Sequence, residues 1–120
     1  MKILVVDDSR AMRMIVKRTL RQAGFNNLEV DEAENGVVAL ASIKSNSPQL
    51  VLCDWNMPEM NGIELLRELR ASGNVVNFGF VTSEASPEMK NTASAAGAQF
   101  LITKPFNADT FKSVLAHFIR

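Results

Sequence analysis

Short, uninterrupted apolar runs alternate with stretches of helical periodicity along this chain, and few folds accommodate such an alternation. Ile3 to Val6, Leu50 to Cys53 and Phe100 to Ile102 are too short for buried helices, and each ends near charges or turn formers. Runs of this kind read as strands covered on both faces, the habit of parallel sheets. Val75 to Thr82 reads as another strand, although Asn77 and Gly79 interrupt it and predict a bulge or a close backbone approach. Leu28 to Ala33 alternates apolar and acidic residues instead, so it is expected at an exposed edge.

The segments between these runs carry helical signals. Met12, Ile15, Val16, Leu20 and Ala23 share one face of the first, and Gly24 stops it. Arg10, Arg13, Lys17, Arg18 and Arg21 lie on its other face, which is expected to be solvated. Asn35-Gly36 opens the second helix, with Ala39, Leu40 and Ile43 inward and Asn46, Ser47 and Pro48 at its end. Ile63, Leu66 and Leu69 mark the third, which ends at Ser72-Gly73. Ser86-Pro87 caps the fourth. Met89, Ala93 and Ala96 are nearly all the fourth helix can bury, so it is expected to be the least firmly held. Asn107 caps the fifth, with Phe111, Val114, Leu115 and Phe118 inward.

Five strands alternating with five helices predict an α/β fold with a doubly wound parallel sheet and right-handed crossovers. The edge character of the second strand favours strand order 2-1-3-4-5, and the chain is too short for a closed barrel. With 120 residues, no repeats and no linker, residues 1–120 are expected to form one domain. Thirteen basic residues balance thirteen acidic ones, so no global field draws the chain to nucleic acid or an anionic membrane. No apolar run approaches the roughly 20 residues of a membrane helix. The N-terminus enters a strand directly without an apolar leader, and the lone Cys53 precludes an internal disulfide. Cys53 itself reads as a small buried residue, and a cytoplasmic protein is expected.

The strand order turns separate residues into a constellation. The run from Leu50 stops on Asp54, and the run from Ile3 stops on Asp7-Asp8. Ligands of open α/β sheets bind at the carboxyl ends of the strands, and here the first and third strands are neighbours. Asp7, Asp8 and Asp54 therefore converge. Three adjacent carboxylates raise one another's pKa unless a cation joins them, and an all-oxygen set suits Mg²⁺. The ends of the fourth and fifth strands add the Thr82 hydroxyl and the Lys104 ammonium, completing a site for a phosphoryl group. Alone, each residue has an ordinary structural reading: a helix cap, a strand-end hydroxyl, a surface charge. Their conjunction at four strand ends does not.

Val-Val-Asp-Asp-Ser, Asp-Trp-Asn-Met-Pro-Glu-Met-Asn-Gly, Val-Thr-Ser-Glu and Thr-Lys-Pro-Phe together resemble the response-regulator receiver family, end to end. The resemblance implies a flavodoxin-like fold with the same strand order. It also implies that Asp54 accepts a phosphoryl group from a partner histidine kinase. Asp7 and Asp8 match the metal carboxylates, with Asp54 and the Asn56 carbonyl completing the protein ligands. Lys104 matches the lysine that pairs with the phosphoryl group, before a cis bond to Pro105, and Thr82 the switch hydroxyl. Trp55 and Asn56 after Asp54, with Glu84 beyond Thr82, look most like the chemotaxis branch. Asn56 and Glu84 would tune self-hydrolysis. A target protein would dock on the face of the fourth helix, fifth strand and fifth helix, and a monomer is expected. The chain is either a stand-alone receiver or one cut from a longer protein.

One position departs from the family. Leu101 stands where an aromatic is usual, and Phe100 is one place off, hence on the opposite face of the strand. Output is then expected to rest on the loop from Ser83 to Pro87 and the helix after it. Two other functions fit the fold less well. An aspartyl-phosphate phosphatase of the dehalogenase type wants a second Asp two residues after the nucleophile, where Asn56 stands. A flavin-binding electron carrier needs a hydroxyl- and glycine-rich phosphate loop after the first strand, where Asp-Asp-Ser-Arg-Ala repels phosphate.

Overall fold

A computed structural model describes residues 1–119. The chain runs β1 (Lys2–Val6), α1 (Arg10–Gln22), β2 (Glu29–Ala33), α2 (Gly36–Asn46), β3 (Leu50–Cys53), α3 (Gly62–Ala71), β4 (Asn77–Thr82), α4 (Pro87–Ala96), β5 (Phe100–Thr103) and α5 (Ala108–Leu115). All strand pairs are parallel, and the order is β2-β1-β3-β4-β5. The acidic second strand is at the edge, as its alternation predicts: only Ala33 of its five residues is buried. The all-apolar third strand lies at the centre with every residue buried.

Each helix begins where the sequence offers an oxygen for its unpaired amides. Ser9, Asn35, Asn61, Ser86 and Asn107 accept from the backbone N–H of Met12, Val38, Glu64, Met89 and Thr110. Asn61 and Glu64 form a reciprocal capping box, which sets the start of α3 just after the loop that leaves Asp54.

The period of two in each strand splits the core into two layers. Leu4, Val6, Val51, Cys53, Phe78 and Phe80 face α2, α3 and α4. Ile3, Val5, Leu50, Leu52, Val81 and Ile102 face α1 and α5, where Leu20, Phe111 and Leu115 cover them. Burying one such side chain contributes about 1.5–3 kcal/mol. In α4 only Ala93 is buried, so this helix has the smallest apolar anchor, in line with its composition.

Three details differ from the sequence reading. Ile15 is expected inward but is 38% exposed, because Thr19 takes the adjoining buried position by donating its hydroxyl to the Ile15 carbonyl at 2.8 Å. Val75 precedes β4 and is 82% exposed. No bulge occurs in β4, which pairs in unbroken register with both neighbours. Nor does another backbone crowd Gly79; a side chain does: a Cβ there would collide with the ring of Phe100, its register partner on β5. Phe100 also packs on Phe118 at 5.2 Å between ring centroids. Phe100 and Leu101 thus lie in opposite core layers, as their offset requires, and Leu101 pairs in register with Phe80.

Gly79→Ala should therefore destabilise the chain by about 1–3 kcal/mol through overpacking. Most of that loss should disappear in a Phe100→Ala background, which chemical denaturation of the four variants would measure.

Candidate functional site

The carboxyl ends of β1, β3, β4 and β5 meet at one rim, and the residues at those ends form the site. The first two ends are tied directly: the Asp54 amide donates to the Val6 carbonyl at 2.8 Å. The last two are tied by the Lys104 amide, which donates to the Thr82 carbonyl at 2.8 Å. Beyond Asp54 the loop folds back so that the Gly62 amide reaches the Trp55 carbonyl at 2.8 Å. That closure needs glycine, since a Cβ at Gly62 would strike the Asp54 carbonyl oxygen.

Asp7 and Asp54 are 4% and 9% exposed, whereas Asp8 is open to solvent. One carboxylate oxygen from each of the three lies within 4.8 Å of the others. The Lys104 ammonium donates to Asp7 Oδ2 at 3.0 Å and stands 3.6 Å from Asp54 Oδ2. The remaining carboxylate oxygens face backbone donors. Asp7 Oδ1 accepts from the Ser9 amide at 2.9 Å, and Asp54 Oδ1 from the Trp55 amide at 2.8 Å. One lysine against three carboxylates leaves the rim negative.

That imbalance reaches the titration of Asp54. Burial pushes its carboxyl above the usual carboxylate range. Lys104 pulls it down, Asp7 pushes it up, the Trp55 amide bond pulls it down, and Asp8 pushes it up. Burial also raises the Cys53 thiol well above its ordinary value, with Asp54 and Asp7 adding to the effect. Cys53 is a buried residue whose Sγ lies 3.1 Å from the Asp54 carbonyl oxygen.

Thr82 is fully buried, and its Oγ1 has no hydrogen-bond partner among the described residues. A buried hydroxyl without a partner costs about 1–3 kcal/mol, so an acceptor delivered to this rim would remove a standing penalty. The oxygen-only donor set of Asp7, Asp8 and Asp54, at this spacing and with excess negative charge, fits Mg²⁺ with retained waters.

The structure thus brings together Asp7, Asp8, Asp54 and Lys104, and sets Thr82 at the end of the adjoining strand. Asn56, Ser83 and Glu84 are exposed on the loops that follow β3 and β4. Leu101 is half-buried in the core layer that also holds Trp55 and Phe80, whose rings are 4.7 Å apart. Met57 and Met60 pack against that layer, and His117 is exposed. The Lys104-Pro105 bond is cis. One participant eluded the sequence reading: Arg13, assigned to a solvated face, donates through Nη1 to the Asp7 carbonyl at 2.6 Å. A basic residue in the first turn of a helix, where the dipole disfavours it, is the only sequence signal that could have singled it out.

Comparisons with known proteins bear on the family and the fold. Residues 3–116 match the family model of the response regulator receiver domain. The chain is 44% identical over 117 residues to chemotaxis protein CheY-3 of Vibrio cholerae, covering 96% of this chain and 88% of that protein. It is 41% identical over 114 residues to chemotaxis protein CheY of Pseudomonas aeruginosa, covering 93% and 90% of the two. Among solved structures, Vibrio cholerae CheY4 superposes with a TM-score of 0.86 at 34% identity, over 98% of each chain. A CheY-like receiver domain protein from Methanospirillum hungatei gives a TM-score of 0.84 at 31% identity, over 97% and 90%.

The raised pKa of Asp54 has a sign that can be tested. The folded state holds this proton more tightly than the unfolded state, so ionised Asp54 destabilises the fold, and stability falls as pH rises between the two pKa values. Asp54→Asn should raise the melting temperature at pH 7 in metal-free buffer. That gain should shrink as pH is lowered from the raised pKa of folded Asp54 toward the ordinary carboxylate value.

Proposed function

The chain belongs to the response regulator receiver domain family, and we propose that it is a phospho-accepting switch of the chemotaxis type. In this reading residues 1–120 act as one receiver, in the cytoplasm and as a monomer, contacting neither nucleic acid nor membrane. A partner histidine kinase supplies the phosphoryl group, and Asp54 receives it. The observation that carries the reading is the pairing of a buried Asp54 with Lys104 and the Asp7–Asp8 carboxylates at one rim.

The chemistry follows from who is free to act. The Trp55 amide engages Asp54 Oδ1, which leaves Oδ2, the oxygen facing Lys104, as the nucleophile. A new bond forms between Oδ2 and phosphorus while the bond from phosphorus to the donor's imidazole nitrogen breaks, and that nitrogen keeps the electron pair. The Lys104 ammonium meets an oxygen of the transferred group. The Thr82 hydroxyl, without an acceptor beforehand, donates to another. Asp7, Asp8, Asp54 and the Asn56 carbonyl would hold Mg²⁺, which when bound neutralises charge on the phosphoryl oxygens. Self-hydrolysis would return Asp54 to its carboxylate, with Asn56 and Glu84 bordering the path of the attacking water.

Intact mass spectrometry with a small phosphodonor and Mg²⁺ tests the assignment. The wild-type chain should gain one phosphoryl group and lose it within minutes of donor removal, and Asp54→Asn should gain none. A gain that persists in Asp54→Asn would refute the assignment of Asp54. A gain that survives for many hours would refute fast self-hydrolysis.

Output would reach a target protein on the face of α4, β5 and α5. Attraction of Thr82 toward the phosphoryl group would reposition Ser83 to Pro87 and the α4 helix, whose apolar anchor is small. Leu101 has neither ring nor hydroxyl, so it would fill vacated space without a rotating aromatic. Backbone amide exchange with and without a phosphoryl mimic should change mainly between Ser83 and Ala96, and Leu101→Ala should still accept phosphate. Changes confined to α1 and α2 would place the output face elsewhere.

A further inference from the structure

Helix α1 opens against its own dipole. Its first turn holds no acidic residue, and Arg10 and Arg13 stand near the end that repels cations. Arg10 is exposed and hydrated, but the Arg13 side chain is only 14% exposed. A guanidinium so poorly hydrated needs acceptors, and it has two on different strands. Its Nε donates to Glu32 Oε1 on β2 at 3.0 Å, and its Nη1 to the Asp7 carbonyl after β1 at 2.6 Å. The other oxygen of Glu32 accepts from Lys17 at 3.3 Å, which pins the carboxylate in turn.

The second acceptor gives this fork its consequence. The Asp7 amide donates to the Ala33 carbonyl at 3.1 Å, Oδ1 accepts from the Ser9 amide, and Oδ2 accepts from Lys104. The carbonyl is the remaining polar atom of Asp7, and Arg13 takes it. The peptide unit is planar, so holding the Asp7 oxygen also holds the amide and Cα of Asp8. We infer that Arg13, seated by Glu32, is a positioning residue of the acid cluster: it locks the Asp7–Asp8 peptide and thereby aims the exposed Asp8 carboxylate at the cation site. The inference rests on the acid cluster being that site. The planar guanidinium spans both acceptors in a fixed geometry that an ammonium cannot reproduce. Glu32, shared with Lys17, also offsets part of the guanidinium charge, so the fork grips the carbonyl with Arg13 ion-paired rather than as an isolated cation beside the acid cluster.

The single tryptophan, Trp55, follows Asp54 in the chain, so its fluorescence should respond to Mg²⁺ binding. The titration compares the wild-type chain with Arg13→Lys, Glu32→Gln, their double variant, Asp8→Ala and Arg18→Lys, all checked for folding by circular dichroism. Arg13→Lys keeps the charge and loses the fork, whereas Glu32→Gln keeps the shape and loses the anchor. Each should weaken Mg²⁺ binding by about tenfold, the usual scale for a residue that orients a metal ligand. The double variant should be no weaker than the worse single variant, because the two side chains act as one device. Arg18→Lys, an exposed change on the same helix, should leave affinity unaltered. Wild-type affinity in both Arg13→Lys and Glu32→Gln, with Asp8→Ala abolishing the response, would overturn the positioning role and leave the acid cluster standing. A response that persists in Asp8→Ala would overturn the cluster reading and this inference with it.

Discussion

One ammonium between two buried carboxylates holds the working end of this molecule together. Lys104 reaches from the end of β5 to Asp7 after β1 and to Asp54 after β3, across 3.0 and 3.6 Å. Without it Asp7 and Asp54 would sit buried side by side with unbalanced charge, and breaking a buried pair from one side typically costs about 3–5 kcal/mol. The lysine does not satisfy the cluster, because Asp8 adds a third negative charge at the same rim. The fold is thus stable enough to display the carboxylates and still short of positive charge. In the proposed function a divalent cation would meet that residual demand.

Everything around the triad serves to bring four strand ends into register. The capping box of Asn61 and Glu64 and the missing side chain of Gly62 let α3 begin close against Asp54. On the next strand, Thr82 is buried with a hydroxyl unpartnered among the described residues, which stores a small penalty where a new acceptor would arrive. Firm packing ends there. The loop after Thr82 is exposed, and α4 buries only Ala93, so a pull on the hydroxyl meets little resistance in that direction.

Much of this was legible in the residues. An apolar run that stops on Asp54 announces a strand end, and the acidic alternation of Leu28 to Ala33 announces an edge; burial and hydration leave those patterns directly in the chain. Gly79 was legible only as an interruption of the strand pattern, not as a seat for a side chain. Its occupant, the Phe100 ring, depends on the register between β4 and β5, which no local pattern encodes. Ile15 was misplaced because helical periodicity gives the direction of the buried stripe but not its width, and Thr19 could enter that stripe by satisfying its hydroxyl on the backbone. Arg13 was hidden for a related reason. Its acceptor is a main-chain carbonyl, and a carbonyl has no sequence signature.

The central claim is that Asp54, alone among three crowded carboxylates, becomes an acyl phosphate. Borohydride reduces an acyl phosphate to the alcohol, so treatment after phosphorylation should leave homoserine where Asp54 stood, and peptide mass spectrometry should find it there and at neither Asp7 nor Asp8. Homoserine at position 7 or 8, or none in a chain that has demonstrably taken up phosphate, would contradict the account.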